Sequence, residues 1–202
     1  MNIKNSVSNM SFKGYGVELR PVAITDLLSL RRWRNNPNVR GKMVNKSYIT
    51  PKQQRIWYEG TKKKYDQAHW VVWYKKKRAG YITIKGEGKL ELQKKLSGGM
   101  YSGHSDVKHR LLGYAMQIIM LDIAFNYLSA STFKGPVQKA NSNVRKLLRQ
   151  LGFKESSPKG EFVWTTIKPS DFKKERKKFD RYFDDPKCEL FRESTKLLKN
   201  NS

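Results

Sequence analysis

Apolar and polar residues along this chain follow two periods, which predict a mixed order of strands and helices. Alternating residues and short β-branched or aromatic runs predict strands, whereas apolar residues that recur every three or four positions predict helices. The predicted strands cover residues 16–22, 69–74, 79–84, 89–93, 96–102, 132–137 and 162–167. The predicted helices cover residues 27–35, 51–63, 112–128, 142–151 and 171–183. This order is typical of an α+β (α/β three-layer) fold with one open, mixed sheet.

Residues at the ends of the predicted helices support these boundaries. Thr50 is suited to cap the second helix, because Pro51 follows at the first helical position and Gln53 completes a capping box. Pro37 ends the first helix, and Gly152 ends the fourth.

Composition indicates a folded chain with a single main domain. The 202 residues are 38% hydrophobic and 12% aromatic. No run approaches the roughly 18 apolar residues that a membrane span needs, and the polar N-terminus does not resemble a signal peptide. The single Cys188 excludes an intrachain disulfide and disfavours a cysteine metal site. We therefore expect a cytoplasmic protein that needs no metal.

The chain divides into three parts of unequal order. Residues 1–14, rich in Asn and Ser, are expected to form a flexible leader. Residues 15–168 hold the predicted folded domain, and residues 169–202 form a basic helical extension. Ser170 is suited to cap the helix of this extension, which is expected to pack back on the sheet, although contact with a second subunit or an anionic surface is open. The oligomeric state is also open.

The net charge of +25 comes from 42 Lys and Arg against 17 Asp and Glu. Such a balance favours polyanionic partners, namely nucleic acid, anionic lipid surfaces or phosphorylated small molecules. The basic residues are spread over predicted turns and helix surfaces, so a solvated surface accounts for each cluster taken singly. We expect nonspecific binding of nucleic acid in vitro.

A short motif opens the long apolar helix directly after the strand at 96–102. It has Arg110, Gly113 and Ala115 at the spacing Arg-x-x-Gly-x-Ala. The first turn of a helix presents N–H groups to anions, while Gly and Ala allow close approach of the backbone. The motif predicts a pyrophosphate site, whereas a plain loop-to-helix junction is the alternative.

Two further stretches make the pattern specific. Residues 141–153 end in Leu-Gly-Phe after an Asn-initiated helix, and residues 33–37 read Trp-Arg-Asn-Asn-Pro. Over residues 17–167 the chain resembles the GNAT superfamily of N-acetyltransferases. Within it, the subgroup of ribosomal-protein N-terminal acetyltransferases and PseH-like nucleotide-amino-sugar acetyltransferases is the most similar. The resemblance implies a GNAT-like acyl-CoA N-acyltransferase fold, whose mixed, mostly antiparallel central sheet is flanked by helices.

The resemblance also implies the donor, acetyl-CoA, and the residues that bind it. The strand before the motif is expected to contact the pantetheine arm, and the helix N-terminus is expected to contact the pyrophosphate. Helix capping is the alternative role for the two asparagines in this set. The assigned residues are Met100, Tyr101, Ser102, Lys108, Arg110, Leu111, Leu112, Gly113, Tyr114, Ala115, Asn141 and Asn143.

The acceptor is expected to be a small molecule with a primary amine. The subgroup resemblance favours a nucleotide-linked amino sugar used in surface-glycan biosynthesis. A nucleotide needs basic and aromatic partners, which Arg34, Arg40, Tyr48 and Trp57 supply in this chain. Asn35, at the end of the first helix where the resemblance places the acceptor cleft, is assigned to the same site. Protein N-termini and other small amines are alternative acceptors. A non-catalytic protein that binds CoA or nucleic acid is a third hypothesis.

Two catalytic positions of the superfamily are changed in this chain. The tyrosine that often protonates the CoA thiolate is replaced by Leu148, which fits an apolar helix stripe and therefore the core. Tyr101, Tyr114, solvent or no group then serves as the acid. A thiol with an ordinary pKa of about 8.5 leaves with little help, so activity does not require the lost tyrosine.

The general base is also missing from its usual place, where this chain has Ser97. Glu87, Glu91 and His104 are the titrating groups nearby. His104 has a suitable intrinsic pKa, but an exposed loop histidine or a neighbour of the phosphates explains it equally well. Positioning of the amine with a water relay is the remaining alternative.

Overall fold

A computed structural model describes residues 6–103 and 111–191 of the chain. Within these two ranges, nine strands form one sheet. They are β1 (Ser11–Gly14), β2 (Val17–Pro21), β3 (Gln67–Tyr74), β4 (Lys77–Lys85), β5 (Lys95–Ser102), β6 (Thr132–Gln138), β7 (Lys154–Glu155), β8 (Phe162–Ile167) and β9 (Glu189–Phe191). Their order across the sheet is β7-β8-β6-β5-β4-β3-β2-β1-β9. The neighbours β5 and β6 are parallel, whereas the other neighbouring pairs are antiparallel. The predicted mixed, mostly antiparallel sheet is confirmed.

Helices cover both faces of this sheet. They are α1 (Leu27–Asn35), α2 (Pro37–Arg40), α3 (Pro51–Thr61), α4 (Leu112–Asp122), α5 (Ser142–Gln150) and α6 (Pro169–Asp180). The capping box of Thr50 and Gln53 is formed at the start of α3, as predicted. After α4 the chain continues directly into a π-helical segment, Ile123–Tyr127. The predicted long helix is therefore α-helical in its first part and π-helical at its end.

The two faces of the sheet hold separate apolar clusters. On one face, α4, α5 and α6 pack against side chains such as Ile82, Ile84 and Phe133. On the other, α1 and α3 pack against Val71 and Tyr81. We call these the α4 face and the α1 face. Because successive strand residues point to opposite faces, each strand contributes to both clusters.

The structure differs from two predictions, one at residues 6–14 and one at residues 89–93. Residues 6–14 of the expected leader are part of the fold, because β1 pairs with β2 and the Trp70 indole N–H donates to the Met10 carbonyl at 2.8 Å. Val7 is buried beside this strand. Residues 89–93 form a 3-10 turn, Leu90–Leu92, in place of the expected strand. Here Leu90 is buried in the α4-face cluster, so tertiary packing overrides the weak alternation.

The C-terminal extension packs back on the domain, as predicted. Phe172 is buried on the α4 face, and the rings of Phe179 and Tyr114 stack with centroids 5.0 Å apart. Strand β9 then pairs with β1 at the edge of the sheet. The helix begins at Pro169 after Lys168, so the expected Ser170 cap is not used.

Candidate active site

The parallel strands β5 and β6 separate after three residue pairs. Their ladder ends where Ser97 pairs with Lys134. Strand β5 stays paired with β4 as far as Ser102, while β6 follows β8 as far as Gln138. One backbone edge of the segment 98–102 therefore lines a wedge between the two halves of the sheet.

Helix α4 is placed with its N-terminus at the open end of this wedge. A Cβ added to Gly80, which pairs with Ser102, would lie 2.9 Å from the Met116 methyl group. A Cβ added to Gly98 would lie 3.2 Å from the sulfur of Met120, one helical turn later. The helix thus runs from the Ser102 end toward the closed end, and its first turn faces the place where β5 stops.

The predicted phosphate-binding segment is described in part. His104, Lys108 and Arg110 lie outside the described residues, so their roles stay predictions. The Ala115 N–H donates to the Leu111 carbonyl at 2.9 Å, which starts the helical ladder of α4. A Cβ on Gly113 would lie 3.1 Å from Leu147, so α4 begins in close contact with α5.

The other residues predicted to bind the cofactor differ in their surroundings. Leu112 and Ala115 are buried, and Tyr114 turns its ring away to stack on Phe179. Met100 packs against the α4-face cluster, whereas Ser102 is exposed at the end of β5.

The two asparagines lie together at the start of α5. Asn141 occupies the N-cap position, and its side chain makes no capping bond in the described part of the chain. Asn143 is exposed in the first helical turn. The capping alternative for Asn141 is therefore not what the structure shows, and a role toward the cofactor stays a prediction.

An aromatic group lines the α1 face beside the wedge. The rings of Tyr81 and Tyr101 stack with centroids 5.0 Å apart, and His69 stacks on Tyr81 at 6.0 Å. Trp57 meets His69 edge-on at 5.2 Å. Of these residues, the sequence prediction included Trp57 and Tyr101. It missed His69 and Tyr81: both lie in predicted strands, but the alternation gives only the face of each residue and not the pairing that brings the two rings together.

His69 is kept neutral by burial and nearby lysines, and two hydrogen bonds orient its ring. Its Nδ1 accepts from the Tyr81 hydroxyl at 2.5 Å, and its Nε2 donates to Gln67 Oε1 at 3.0 Å. Burial, with the charges of Lys85 and Lys64, lowers the pKa of His69 to about 4. A cation is thus disfavoured at this position.

Arg34 reaches the aromatic group from the end of α1. Its Nη2 donates to the Asn45 carbonyl, while the buried Nη1 has no hydrogen-bond partner in the described residues. Burial lowers the pKa of Arg34, and Tyr101 partly offsets this change. Burial also raises the pKa of Tyr101, against the influence of Arg34. The guanidinium and the Tyr101 hydroxyl are thus near enough to influence each other electrostatically.

The neighbouring Asn35 has a structural role. Its amide donates to the Ile49 carbonyl and accepts from the Ile49 N–H, both at 2.8 Å. This pair of bonds uses both ends of the amide. The structure therefore places Asn35 as a clamp on the segment 45–50, although the sequence predicted that it binds the acceptor.

The segment 36–50 crosses from one half of the sheet to the other on the α1 face. The Gly41 carbonyl accepts from Gln138 at 2.8 Å, and Lys46 pairs with Glu161, also at 2.8 Å. Arg40 lies over the exposed ring of Tyr48, with 6.0 Å between guanidinium and ring centre. These two predicted acceptor residues thus belong to a bridge beside the wedge.

The structure gives the surroundings of Leu148, Ser97, Glu91 and Glu87, which the sequence analysis discussed for catalysis. Leu148 is buried in the α4-face cluster, which confirms its core role. Ser97 donates from Oγ to the Lys85 carbonyl at 3.4 Å. Glu91 accepts from the Ser6 hydroxyl and the Val7 N–H, so it anchors the N-terminal segment. Glu87 is exposed in the turn after β4.

The central strands carry no acidic residue: Asp and Glu are missing from β3, β4, β5 and β6. Within residues 6–103 and 111–191, no cluster of His, Cys, Asp and Glu is suited to hold a metal ion. Because these strands lack carboxylates, the described site offers backbone, hydroxyl and cationic groups for chemistry.

Among the helices of the same ranges, none has the length and apolarity needed to cross a bilayer.

A mixed sheet that opens at its parallel pair, with a helix N-terminus at the opening, defines an acyl-CoA-dependent acyltransferase fold. The family model for the acetyltransferase (GNAT) domain matches residues 17–154. The chain therefore belongs to the GNAT acetyltransferase family, and it is an acetyl-CoA-dependent N-acetyltransferase. No curated protein sequence matches the chain.

Three solved structures illustrate the shared fold. Apo FdhC, described as a nucleotide-linked sugar GNAT, is 18% identical with a TM-score of 0.71, over 87% of this chain and 99% of that one. Campylobacter jejuni PseH with acetyl coenzyme A is 17% identical with a TM-score of 0.60, over 76% and 99%. Vibrio cholerae spermidine N-acetyltransferase with CoA and spermine is 15% identical with a TM-score of 0.69, over 78% and 98%. At these identities the similarity concerns the fold.

Proposed function

We propose that the enzyme acetylates the primary amine of a nucleotide-linked amino sugar in surface-glycan biosynthesis. The observation that carries this proposal is the Arg34 guanidinium, which has a buried Nη1 without a partner in the described residues, beside Tyr101. A guanidinium with unused donors is strongly stabilised by a phosphate or carboxylate, because both bind it through charge-assisted hydrogen bonds. A nucleotide-linked sugar supplies such a group.

The charge of the acceptor side also discriminates between acceptor classes. A polyamine is polycationic and needs carboxylates, but strands β3 to β6 have none. Cations such as Arg34 and Lys85 repel it. Although one neighbour of similar fold is a spermidine acetyltransferase, the electrostatics favour an anionic acceptor, in line with FdhC, which is described as a nucleotide-linked sugar GNAT.

The chemistry proposed for the wedge is direct attack of the amine on the thioester. The neutral amine attacks the acetyl carbonyl, a tetrahedral intermediate forms, and CoA leaves as thiolate or thiol. Backbone N–H groups of β5 near Met100 and Tyr101 are proposed to hold the oxyanion. Leu111 to Ala115, with Lys108 and Arg110, are proposed to bind the pyrophosphate.

Tyr101 is proposed to assist the leaving group. Because burial raises its pKa, the hydroxyl stays protonated at neutral pH and can donate a hydrogen bond that stabilises the departing thiolate as the C–S bond breaks. Ser97 is a hydrogen-bonding group and not a strong base. His104 or a water relay is proposed to remove the amine proton. Since acetyl-CoA is made and used in the cytoplasm, we place the reaction there.

A mass-spectrometric assay tests this function. The enzyme is incubated with acetyl-CoA and, in separate reactions, UDP-linked amino sugars, peptides with free N-termini, and spermidine. We expect a mass gain of one acetyl group on a UDP-amino sugar. Acetylated peptide or spermidine alone would replace the proposed acceptor, and no product from any amine would overturn catalysis.

Variants of Arg34 connect the assay to the site. Arg34→Met is expected to raise the acceptor KM at least about tenfold while the acetyl-CoA KM stays constant, because the lost bond is to the acceptor. Arg32→Met is the matched control, since Arg32 is exposed on the same helix. Equal effects of the two variants would contradict a specific role for Arg34.

A further inference from the structure

The last pair of the β5–β6 ladder places a serine between two lysines. Ser97 pairs with Lys134 on one side and with Lys85 on the other. Neighbouring strands are about 4.8 Å apart, so the two lysine Cα atoms are separated by about 10 Å. This row lies at the apex of the wedge, directly before β5 and β6 separate.

All three side chains of this row lie on the α1 face. Their sequence neighbours Ile84, Leu96 and Phe133 belong to the buried cluster of the α4 face. Since successive strand residues alternate between faces, Lys85, Ser97 and Lys134 project to the opposite side. That is the side on which Arg34 and the aromatic group lie.

The two lysines are not neutralised by protein carboxylates in the described parts of the chain. No ion pair of Lys85 or Lys134 is found there, whereas Arg78, Arg145 and Lys46 have carboxylate partners. Asp66, directly before β3, and Glu87, shortly after β4, lie outside these strands.

One rung further into the wedge, a buried hydroxyl lacks a partner. Thr83 is 8% exposed, and its Oγ1 has no partner at full hydrogen-bond geometry within the described residues, although it lies close enough to the Tyr81 hydroxyl to lower the pKa of that group. Its pairing partner Gly99 leaves space, since no heavy atom lies within 4 Å of an added Cβ. The positive field extends to this rung, because Lys85 contributes to the lowered pKa of His69 there.

We propose that Lys85, Ser97 and Lys134 form an anion subsite that binds a phosphate or carboxylate group of the amine acceptor. The Thr83 hydroxyl lies on the adjacent rung, where it can donate to the same ligand across the space beside Gly99. The proposal rests on the proposed function for its ligand. If the subsite binds the acceptor, the acceptor is an anionic molecule. Its negatively charged group then lies at the wedge apex, next to the amine that is acetylated.

The phosphates of acetyl-CoA do not account for this subsite. They bind at the α4 N-terminus, which lies beyond Ser102, and the five residues from Ser97 to Ser102 span about 16 Å of strand. The pantetheine arm and the thioester occupy the interval between. An anion at the apex therefore belongs to the acceptor.

Direct binding of pyrophosphate tests the subsite without requiring turnover. Titration calorimetry is performed on the full chain saturated with CoA, which fills the donor site, in about 150 mM salt to screen the remaining surface charge. The double variant Lys85→Met/Lys134→Met is expected to weaken binding at least about tenfold. Lys177→Met is the matched control, because this exposed lysine lies on α6 over the α4 face.

Lys134→Arg keeps the charge and is expected to bind pyrophosphate within about threefold of wild type, which separates loss of charge from misfolding. Wild-type protein that fails to bind pyrophosphate, or equal weakening in the double variant and the control, would overturn the subsite.

In steady-state kinetics the double variant should raise the acceptor KM and leave the acetyl-CoA KM constant. A raised acetyl-CoA KM would reassign the subsite to the donor. Absence of turnover with any amine, alongside the expected pyrophosphate result, would overturn the proposed function and leave an anion site.

Discussion

The Tyr81 hydroxyl donates a hydrogen bond to Nδ1 of His69, across two antiparallel strands beneath helix α3. The two rings stack, and the second ring nitrogen of His69 is held by Gln67. Because both nitrogens are engaged and the ring is buried, this histidine is a neutral structural group of the α1 face.

The neutral state of His69 predicts a loss of stability on acidification. The unfolded chain takes up this proton near pH 6.5, whereas the folded protein takes it up only near pH 4. Between these values the unfolded state binds more protons, so the free energy of unfolding falls as the pH falls. The loss is complete near pH 4 and amounts to up to about 3 kcal/mol. Urea denaturation at pH 7.5 and pH 5 measures about 2 kcal/mol of this loss.

His69→Gln removes the titrating group and is the comparison for that experiment. The variant should be less stable than wild type at pH 7.5, since the Tyr81 bond is altered, but its stability should depend less on pH in this window. Identical pH dependence of the two proteins would show that His69 is not the group responsible.

Tyr101→Phe is expected to lower kcat about 10-fold to 100-fold, because the variant cannot donate a hydrogen bond to the thiolate. Both KM values should change little, as the ring that stacks on Tyr81 is retained. Rapid-mix measurement of CoA release gives kcat. Tyr65→Phe, at an exposed tyrosine, is the control. An unchanged kcat in Tyr101→Phe would show that the thiolate departs without help from Tyr101.

Gly113→Glu is expected to weaken CoA binding at least about 100-fold, because it places a carboxylate where the helix N-terminus meets a pyrophosphate. Gly113→Ala separates shape from charge, since its Cβ meets only the flexible end of Leu147, at 3.1 Å. We expect a change below about fivefold for this variant. Fluorescence titration with CoA measures both, and Gly60→Glu, at a glycine with open space, is the control. Unchanged CoA affinity in Gly113→Glu would refute the site.

Leu148→Ala is expected to lower the free energy of unfolding by about 2 to 4 kcal/mol, since it opens a cavity in the α4-face cluster. Lys146→Ala, exposed on the same helix, should change it by less than about 0.5 kcal/mol. Thermal and chemical denaturation measure both. Leu148→Tyr should also destabilise the fold, because the ring overfills the site, and should not raise kcat. A faster Leu148→Tyr enzyme would show that the superfamily acid can be restored here.

The sequence by itself determined the local elements, because their signals lie within a few residues of each other. The bounds of α1 are those predicted, and the capping box of α3 forms with the expected Thr50 and Gln53. The motif around Gly113 and the core position of Leu148 could also be predicted from the sequence, since each depends on spacing along one helix. The predicted roles of His104, Lys108 and Arg110 stay predictions.

Only the tertiary structure decided which distant residues meet. Strand β1 pairs Phe12 with Leu190, near the other end of the chain, so the expected leader became part of the sheet. The register of the sheet likewise aligned Lys85, Ser97 and Lys134, although a period of two reports only the face on which a residue lies and not its neighbours. The point where β5 and β6 separate depends on β6 pairing with β8, so the shape of the site depends on long-range pairing.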